Sequence, residues 1–194
     1  MANIPGIWPG CVVGMLNGPA LISAAKLVLI TPEYAFEALM SSPAVLFVCL
    51  GNICRSPLAE AAFRVECERR DLEVGVDSAG TGDWHVGQPP DVRAQAVARR
   101  HGVDISHYRA RQVCEEDFIR FTHVVALDTD NLADLQALAP PDATAQLSLL
   151  LDHVPGRAGE PVADPYFGAA DGFDVTWADV TAGAAELARQ LGKD

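Results

Sequence analysis

Positive charge is scarce in this chain of 194 residues. Its 14 Lys and Arg residues are outnumbered by 26 Asp and Glu residues, which gives a formal net charge of −12. Nucleic-acid-binding proteins normally present a basic face to phosphates. Docking on an anionic membrane surface also depends on clusters of Lys and Arg. The composition therefore argues against both nucleic acid and membranes as partners.

Long apolar runs are lacking as well. A membrane-spanning helix needs about 20 consecutive apolar residues, whereas the apolar run at residues 20–30 is shorter and contains Lys26. No basic segment precedes the apolar run that begins at Cys11, so the pattern of a secretory signal peptide is missing. We expect residues 1–39 to be a non-catalytic N-terminal extension and residues 40–194 to form the functional domain.

The five cysteines show neither the spacing of a disulfide framework nor that of a zinc site. Their odd number and the length of the chain are typical of a protein from a reducing compartment. We therefore expect a cytoplasmic protein, where a reactive thiol can stay free. We also expect no metal and no organic cofactor.

What the sequence does contain is an alternation of apolar runs and helical patterns. Residues 45–50 form a continuous apolar run that is typical of a parallel strand buried on both faces. Helical spacing follows at residues 58–70. Further strands are predicted at residues 74–78, 123–127 and 145–151, and further helices at residues 91–101, 130–138 and 173–191. This order predicts a single-domain α/β fold with a four-stranded parallel twisted sheet and helices on both faces.

A short loop, from Cys49 to Arg55, joins the first strand to the first helix. Backbone N–H groups converge on an anion in such a loop, and ligands bind beyond the carboxyl ends of parallel strands. Gly51 and Asn52 tolerate the left-handed backbone angles of a tight anion-binding turn. Arg55 can hold two phosphoryl oxygens, and Ser56, also a candidate helix cap, can donate to a Cys49 thiolate. The sequence predicts a phosphate-binding loop with a nucleophilic thiol.

The same Cys-x5-Arg spacing recurs between Cys114 and Arg120, and this second match serves as a control. Three carboxylates at residues 115–117 would repel phosphate and favour the protonated thiol. No glycine lies between Cys114 and Arg120. We interpret Cys114 as a structural residue, so the residues inside the loop carry more information than the spacing.

The segment VCLGNICRSP at residues 48–57 resembles the nucleophile loop of the low-molecular-weight protein tyrosine phosphatases. Further motifs of the family follow in order, and the resemblance covers residues 43–194. These further motifs are DSAGTGDWHVG at residues 77–87, HG at 101–102, ARQV at 110–113, LDTDN at 127–131 and DPY at 164–166. The resemblance implies a phosphoric monoester hydrolase that cleaves phosphotyrosine and small aryl phosphates through a cysteinyl-phosphate intermediate.

The resemblance also implies a role for individual residues. Cys49 would be the nucleophile, Arg55 would bind the phosphoryl group, and Asp164 would act as general acid and then as general base. Trp84 and Tyr166 would form the aromatic walls of a pocket deep enough to favour phosphotyrosine over phosphoserine. The residues implied to surround the phosphoryl group are Leu50, Gly51, Asn52, Ile53, Cys54 and Ser56.

Four further residues are implied to support the site. Ser78 and His107 would join Asn52 in a hydrogen-bond network that holds the loop. Asp128 and Asn131 match a pair that lies near the site in the family, but they could equally cap the helix that follows. Taken without the resemblance, Ser78 is a turn residue and His107 a surface histidine.

Three alternative functions remain at this point. Arginine phosphatases resemble this loop but have threonine at the position of Ile53. Thioredoxin-coupled arsenate reductases need two further cysteines far downstream, whereas Cys114 is the only cysteine after Cys67. A module that binds phosphoprotein without turnover would not need both a nucleophile and an acid.

Two features concern regulation and partners. Cys54 lies five residues after Cys49, so it is either a resolving thiol that forms a reversible disulfide with an oxidised Cys49 or a packing residue. Phe167 stands where many family members carry a second tyrosine, so regulation through phosphorylation there is lost. The implied partner is a phosphotyrosine-containing protein, with autophosphorylated bacterial tyrosine kinases as one candidate, and the expected state is a monomer or weak dimer.

Overall fold

The computed structural model describes residues 43–169 and 171–192. The expected extension, residues 1–39, lies outside the described residues. Four parallel strands form one sheet in the order β2-β1-β3-β4. They are β1 (Ala44–Cys49), β2 (Gly75–Gly80), β3 (His123–Ala126) and β4 (Gln146–Leu149). The predicted four-stranded parallel sheet is confirmed.

Helices cover both faces of the sheet, as predicted from the alternating pattern. Helices α1, α2 and α5 share one hydrophobic core with the sheet, whereas α3 and α4 pack on the opposite face. Their bounds are α1 (Arg55–Arg70), α2 (Val92–Arg100), α3 (Asp117–Arg120), α4 (Thr129–Leu138) and α5 (Gly172–Leu191). Within the described part of the chain, no helix has the length and apolar character that crossing a bilayer requires.

The central strand β1 explains why the first apolar run is continuous. Val45 and Phe47 face the core that contains α1 and α5, while Leu46 and Val48 face the opposite core. All four side chains are fully buried. The aromatic ring of Phe47 packs edge-on against Phe63 of α1, with 5.4 Å between ring centroids. A strand covered on both faces has no position for a polar side chain.

The order of the elements places the site. Cys49 is the last residue of β1, and Arg55 is the first residue of α1. The six-residue strand β1 is central, with β2 on one side and β3 on the other. The loop between Cys49 and Arg55 therefore lies at the carboxyl edge of the sheet, where parallel strands deliver ligand-binding residues.

Candidate active site

The phosphate-binding loop is tightly wound and rests on the neighbouring strand. Asn52 has a left-handed backbone with φ of 53°, as its residue type suggested. Gly80, at the end of β2, lies directly under the loop: a Cβ there would be 2.9 Å from the Leu50 carbonyl oxygen and 3.1 Å from the Asn52 nitrogen. The loop can approach β2 this closely because Gly80 has no side chain.

Ser56 lies beside the thiol of Cys49. The Cys49 Sγ and Ser56 Oγ atoms are 3.1 Å apart, and the Ser56 hydroxyl also reaches the Ala79 carbonyl oxygen at 3.2 Å. The prediction that Ser56 caps the helix is wrong. Helix α1 begins at Arg55, and its N-cap residue, Cys54, makes no side-chain cap. The Ser56 hydroxyl lies inside the first turn and points to the nucleophile loop instead.

Asn52 connects the loop to the neighbouring segments through three hydrogen bonds. Its Nδ2 donates to Ser56 Oγ at 2.9 Å and to Ser78 Oγ at 3.0 Å. Its Oδ1 accepts from the Arg111 backbone nitrogen at 2.9 Å. Both Asn52 and Ser78 are buried. Because both Nδ2 hydrogens and the Oδ1 of Asn52 are hydrogen-bonded, the side chain holds the left-handed turn in place.

The predicted place of His107 in this network is wrong. His107 is exposed, and its ring packs edge-on against Tyr108. Ser78 instead donates to Glu60 at 2.7 Å, and the buried Glu60 is paired with Arg64 at 2.9 Å. The half-buried Tyr108 lies beside Glu60 and Arg64, and burial raises the pKa of its phenol to about 12. Tyr108 takes the inner position of this segment and leaves His107 in solvent.

Sequence reasoning missed Glu60. Helix α1 carries three glutamates, and nothing in their spacing singles out the one that turns inward. Burial raises the pKa of Glu60, while Arg64 and the Ser78 hydroxyl oppose that shift. The only indirect signal was Ser78, a buried hydroxyl that needs an acceptor.

Arg55 is held by carboxylates on two sides. Its Nη1 donates to Asp128 and to the Val162 carbonyl oxygen, and its Nη2 donates to Asp164 Oδ2 at 2.8 Å. Its Nε is buried and has no hydrogen-bond partner. Burial opposes the charge of Arg55, but Cys49, Asp128 and Asp164 outweigh it and raise the pKa of the guanidinium.

Asp128 has two functions that the sequence presented as alternatives. Its Oδ2 accepts from Arg55, and its Oδ1 accepts from the Asn131 backbone nitrogen at 2.7 Å as the N-cap of α4. The side-chain amide of Asn131 also faces this carboxylate. The helix cap therefore fixes the carboxylate that orients the guanidinium.

A cavity of about 150 Å³ opens in front of Cys49. Arg55, Asp164, Trp84 and Tyr166 line it together with Cys49, so the structure brings these five predicted residues together. The other lining residues are Leu50, Gly51, Ile53, Cys54, His85 and Phe167. The sequence analysis did not predict that His85 and Phe167 line this pocket.

Two residues predicted to surround the phosphoryl group do not line the cavity. Asn52 and Ser56 are only 3% and 0% exposed. Asn52 donates to Ser56 and Ser78, and Ser56 lies beside the thiol of Cys49. Their side chains support the loop from below and are not among the residues that line the cavity. A buried polar side chain cannot be distinguished from a ligand-contacting one by its residue type alone.

The second thiol of the loop also faces the cavity. Cys54 is buried, and burial, reinforced by Asp91 and Cys49, raises the pKa of its thiol. The hypothesis that it resolves an oxidised Cys49 stays a prediction. Cys114, in the second Cys-x5-Arg match, does not line this cavity. In residues 43–169 and 171–192, no group of three or more His, Cys, Asp or Glu side chains is arranged to hold a metal.

A parallel sheet, a Cys-x5-Arg loop after its first strand and a cavity in front of the cysteine are the features of a cysteine-based phosphatase. The family model described as low molecular weight phosphotyrosine protein phosphatase matches residues 44–194. The chain belongs to this family, and the resemblance seen in the sequence is confirmed.

Individual relatives agree with this assignment. The low molecular weight protein-tyrosine-phosphatase of Streptomyces coelicolor is 47% identical over 135 residues, which are 67% of this chain and 82% of the relative. The crystal structure of YfkJ from Bacillus subtilis matches with a TM-score of 0.73 and 39% identity, covering 79% of this chain and 96% of YfkJ.

A structure of an arginine phosphatase is similar as well. The Drosophila arginine phosphatase DARP matches with a TM-score of 0.71 and 32% identity, covering 75% of this chain and 96% of DARP. The fold is thus shared by tyrosine and arginine phosphatases. The residues of the site, and not the fold, therefore distinguish the substrates.

Proposed function

We propose that the chain hydrolyses phosphotyrosine in proteins, and small aryl phosphates, through a cysteinyl-phosphate formed on Cys49. One observation carries this proposal: Cys49, Arg55 and Asp164 line the same small cavity. A nucleophile, an anion-binding cation and a proton donor are the three groups that a two-step phosphoryl transfer requires.

The contacts of Arg55 indicate how the phosphoryl group is held. Asp128 and the Val162 carbonyl oxygen occupy Nη1, on the rear of the guanidinium. The opposite edge carries Nε, which has no partner, and Nη2, which contacts Asp164. These two N–H groups form a fork that fits two phosphoryl oxygens. We infer that the phosphoryl group replaces the Asp164 carboxylate on Nη2.

In the first step, Cys49 Sγ attacks phosphorus, and the ester bond to the phenol oxygen breaks. The new bond is sulfur to phosphorus, and the electron pair of the broken bond stays on the leaving oxygen. Asp164 gives its proton to that oxygen, so that neutral phenol departs. The hydroxyl of Ser56, 3.1 Å from Sγ, stabilises the thiolate that begins this step.

In the second step, a water molecule attacks the phosphorus of the cysteinyl-phosphate. Asp164, now a carboxylate, accepts a proton from this water. The bond between sulfur and phosphorus breaks, its electrons return to Cys49, and inorganic phosphate leaves. Ser56 stabilises the returning thiolate as in the first step, while Arg55 holds the phosphoryl oxygens.

The walls of the cavity favour an aromatic substrate. Trp84 and Tyr166 contribute aromatic side chains to the lining of the cavity, and Ile53 contributes an aliphatic one. A phenyl ring gains from these contacts. The arginine phosphatase alternative is disfavoured by Ile53, because the relatives with that activity resemble this loop except for a threonine there.

The test measures hydrolysis of p-nitrophenyl phosphate in EDTA, followed by a phosphotyrosine peptide and the same peptide with phosphoarginine. The wild-type chain should hydrolyse the aryl ester and prefer the phosphotyrosine peptide. Cys49→Ser should lower kcat/KM by at least about a thousandfold, since the nucleophile is lost. Undiminished turnover by Cys49→Ser, or a preference for phosphoarginine, would overturn the proposal.

The finer expectations about context belong to the same proposal. A cytoplasmic location suits the nucleophile Cys49, whose thiol has to stay reduced. A tyrosine kinase that phosphorylates itself would offer a suitable substrate. The net charge of −12 supports neither nucleic acid nor membranes as partners, and we propose a monomer or weak dimer with residues 1–39 outside the catalytic domain.

A further inference from the structure

The side chain of Arg93, on helix α2, is hydrogen-bonded to the loop that carries Asp164. We call residues 164–168 the acid loop. The Nη2 of Arg93 donates to the Tyr166 carbonyl oxygen at 3.0 Å, and its Nη1 donates to the Gly168 carbonyl oxygen at 3.3 Å. The guanidinium also lies over the ring of Phe173, 4.7 Å from its centroid. The Arg93 side chain is thus hydrogen-bonded to two carbonyl oxygens of the acid loop.

Arg93 is itself anchored beside the phosphate-binding loop. Asp91 accepts from Arg93 Nε at 3.0 Å and from Nη2 at 2.9 Å, and it caps α2 by accepting from the Arg93 backbone nitrogen at 2.7 Å. The backbone nitrogen of Asp91 donates to the Ile53 carbonyl oxygen at 2.8 Å. A continuous path of hydrogen bonds therefore runs from the phosphate-binding loop through Asp91 and Arg93 to the acid loop.

The last link of this path reaches the carboxyl group itself. The Tyr166 backbone nitrogen donates to Asp164 Oδ1 at 3.0 Å, while the Tyr166 carbonyl oxygen is held by Arg93. The other side-chain partner of Asp164 is Arg55, which is the group that has to turn to the phosphoryl oxygens. When Arg55 binds the phosphoryl oxygens, the hydrogen bond from the Tyr166 backbone nitrogen still orients the Asp164 carboxyl.

We propose that Arg93 is a positioning residue for the general acid, which fixes the acid loop so that the Asp164 carboxyl faces the leaving oxygen. This inference rests on the proposed function, because it requires Asp164 to be the proton donor. Lysine cannot replace Arg93, since it lacks the planar fork that binds Asp91 and two carbonyl oxygens at once.

Displacing the general acid should affect kcat/KM in a way that depends on the leaving group, which the loss of a merely stabilising ion pair would not do. Protonation matters most when the departing oxygen is basic, as in phenyl phosphate, and little when it is weakly basic, as in 2,4-dinitrophenyl phosphate. The kcat/KM value covers the steps up to departure of the phenol, so it reports this protonation. A misplaced acid should therefore slow phenyl phosphate selectively.

The experiment measures kcat/KM for both esters in wild type, Arg93→Ala, Arg93→Lys, Asp164→Asn and Arg100→Ala. Arg100 is the matched control, since it lies on α2 and pairs with Asp174 of α5 but does not touch the acid loop. Both Arg93 variants should lose about 10- to 100-fold on phenyl phosphate, as expected for a displaced catalytic group, and less than about threefold on the dinitrophenyl ester. Arg100→Ala should leave both values unchanged.

The outcomes separate this inference from the proposed function. If Asp164→Asn shows no selectivity between the esters, the acid role of Asp164 fails. If Asp164→Asn is selective but the Arg93 variants lose equally on both esters, Arg93 is only structural and the inference is overturned. Arg93→Lys keeps the charge and the aliphatic stem, so it carries the test if Arg93→Ala does not fold.

Discussion

At the scale of single residues, Asn52 combines two physical effects that are usually separate. Its backbone adopts a left-handed conformation that costs most L-residues about 1–2 kcal/mol, with φ of 53°. Its side chain makes three hydrogen bonds, two buried ones to Ser56 and Ser78 and a partly buried one from the Arg111 backbone nitrogen. The first effect favours glycine at this position, whereas the second requires an amide.

Two substitutions separate these effects. Asn52→Ala keeps the strain and loses the bonds, so we expect a loss of roughly 3 kcal/mol in the free energy of unfolding, at about 1 kcal/mol per bond. Asn52→Gly should recover about 1 kcal/mol of that loss because glycine relieves the strain. Both should lower kcat/KM for p-nitrophenyl phosphate by about tenfold or more. Urea unfolding and kinetics measure this, and full activity of Asn52→Gly would show that the amide is dispensable.

The sequence identified the residues whose chemistry is local and missed those that depend on tertiary contacts. Cys49 and Arg55 lie in one loop, so their joint position could be predicted from seven consecutive residues. Glu60 and Ser78 are 18 positions apart in the chain and meet only because α1 packs against β2. The inward turn of Tyr108, which leaves His107 outside, depends on the same packing. Single-sequence patterns contain no signal for such contacts.

At the scale of elements, the periodicity predicted every strand but not every boundary. The apolar run at residues 145–151 was predicted to be one strand, yet β4 ends at Leu149. Asp152 then accepts from the Leu149 backbone nitrogen at 3.1 Å, and Leu150–His153 forms a 3₁₀ turn. Leu150 is apolar because it is buried under α5, so burial in a turn and burial in a strand give the same pattern.

Helix propensity alone predicts that replacing Gly183 of α5 by alanine stabilises the protein, but the contact between α5 and this turn predicts the opposite. A Cβ on Gly183 would lie 2.5 Å from Leu150 Cγ, and Leu150 is fully buried. Alanine gains about 1 kcal/mol over glycine in a free helix, but overpacking a core costs about 1–3 kcal/mol. We expect Gly183→Ala to lower the free energy of unfolding by about 1 kcal/mol or more in urea.

A neighbouring residue on the same helix supplies the control. Ala182 is half-buried and next to Gly183, so Ala182→Gly should report propensity alone and cost about 1 kcal/mol. An increase in stability for Gly183→Ala would mean that Leu150 moves aside without cost, and that α5 does not approach the turn as closely as described.

At the scale of the whole molecule, the protein is acidic although its site is suited to a dianionic phosphoryl group. The net charge of −12 would repel a phosphate at long range, but salt screens charges beyond about 8–10 Å. Arg55 lines the cavity, and the backbone N–H groups of a loop at a helix N-terminus add to the local positive field. Local dipoles and one fixed guanidinium therefore decide binding, and total charge excludes only partners that need a broad basic surface.

The boundary of the catalytic domain is the remaining prediction at this scale. Among residues 43–169 and 171–192, those that line the cavity fall between Cys49 and Phe167, and those that build the two hydrophobic cores fall between Ala44 and Leu191. A chain that begins at Met40 should therefore match the full chain, under reducing conditions, within about twofold in kcat/KM and about 0.5 kcal/mol in free energy of unfolding. A chain that begins at Phe47 is the control, because it lacks half of the central strand and should not fold. A larger loss in the chain that begins at Met40 would show that residues 1–39 contribute to the catalytic domain.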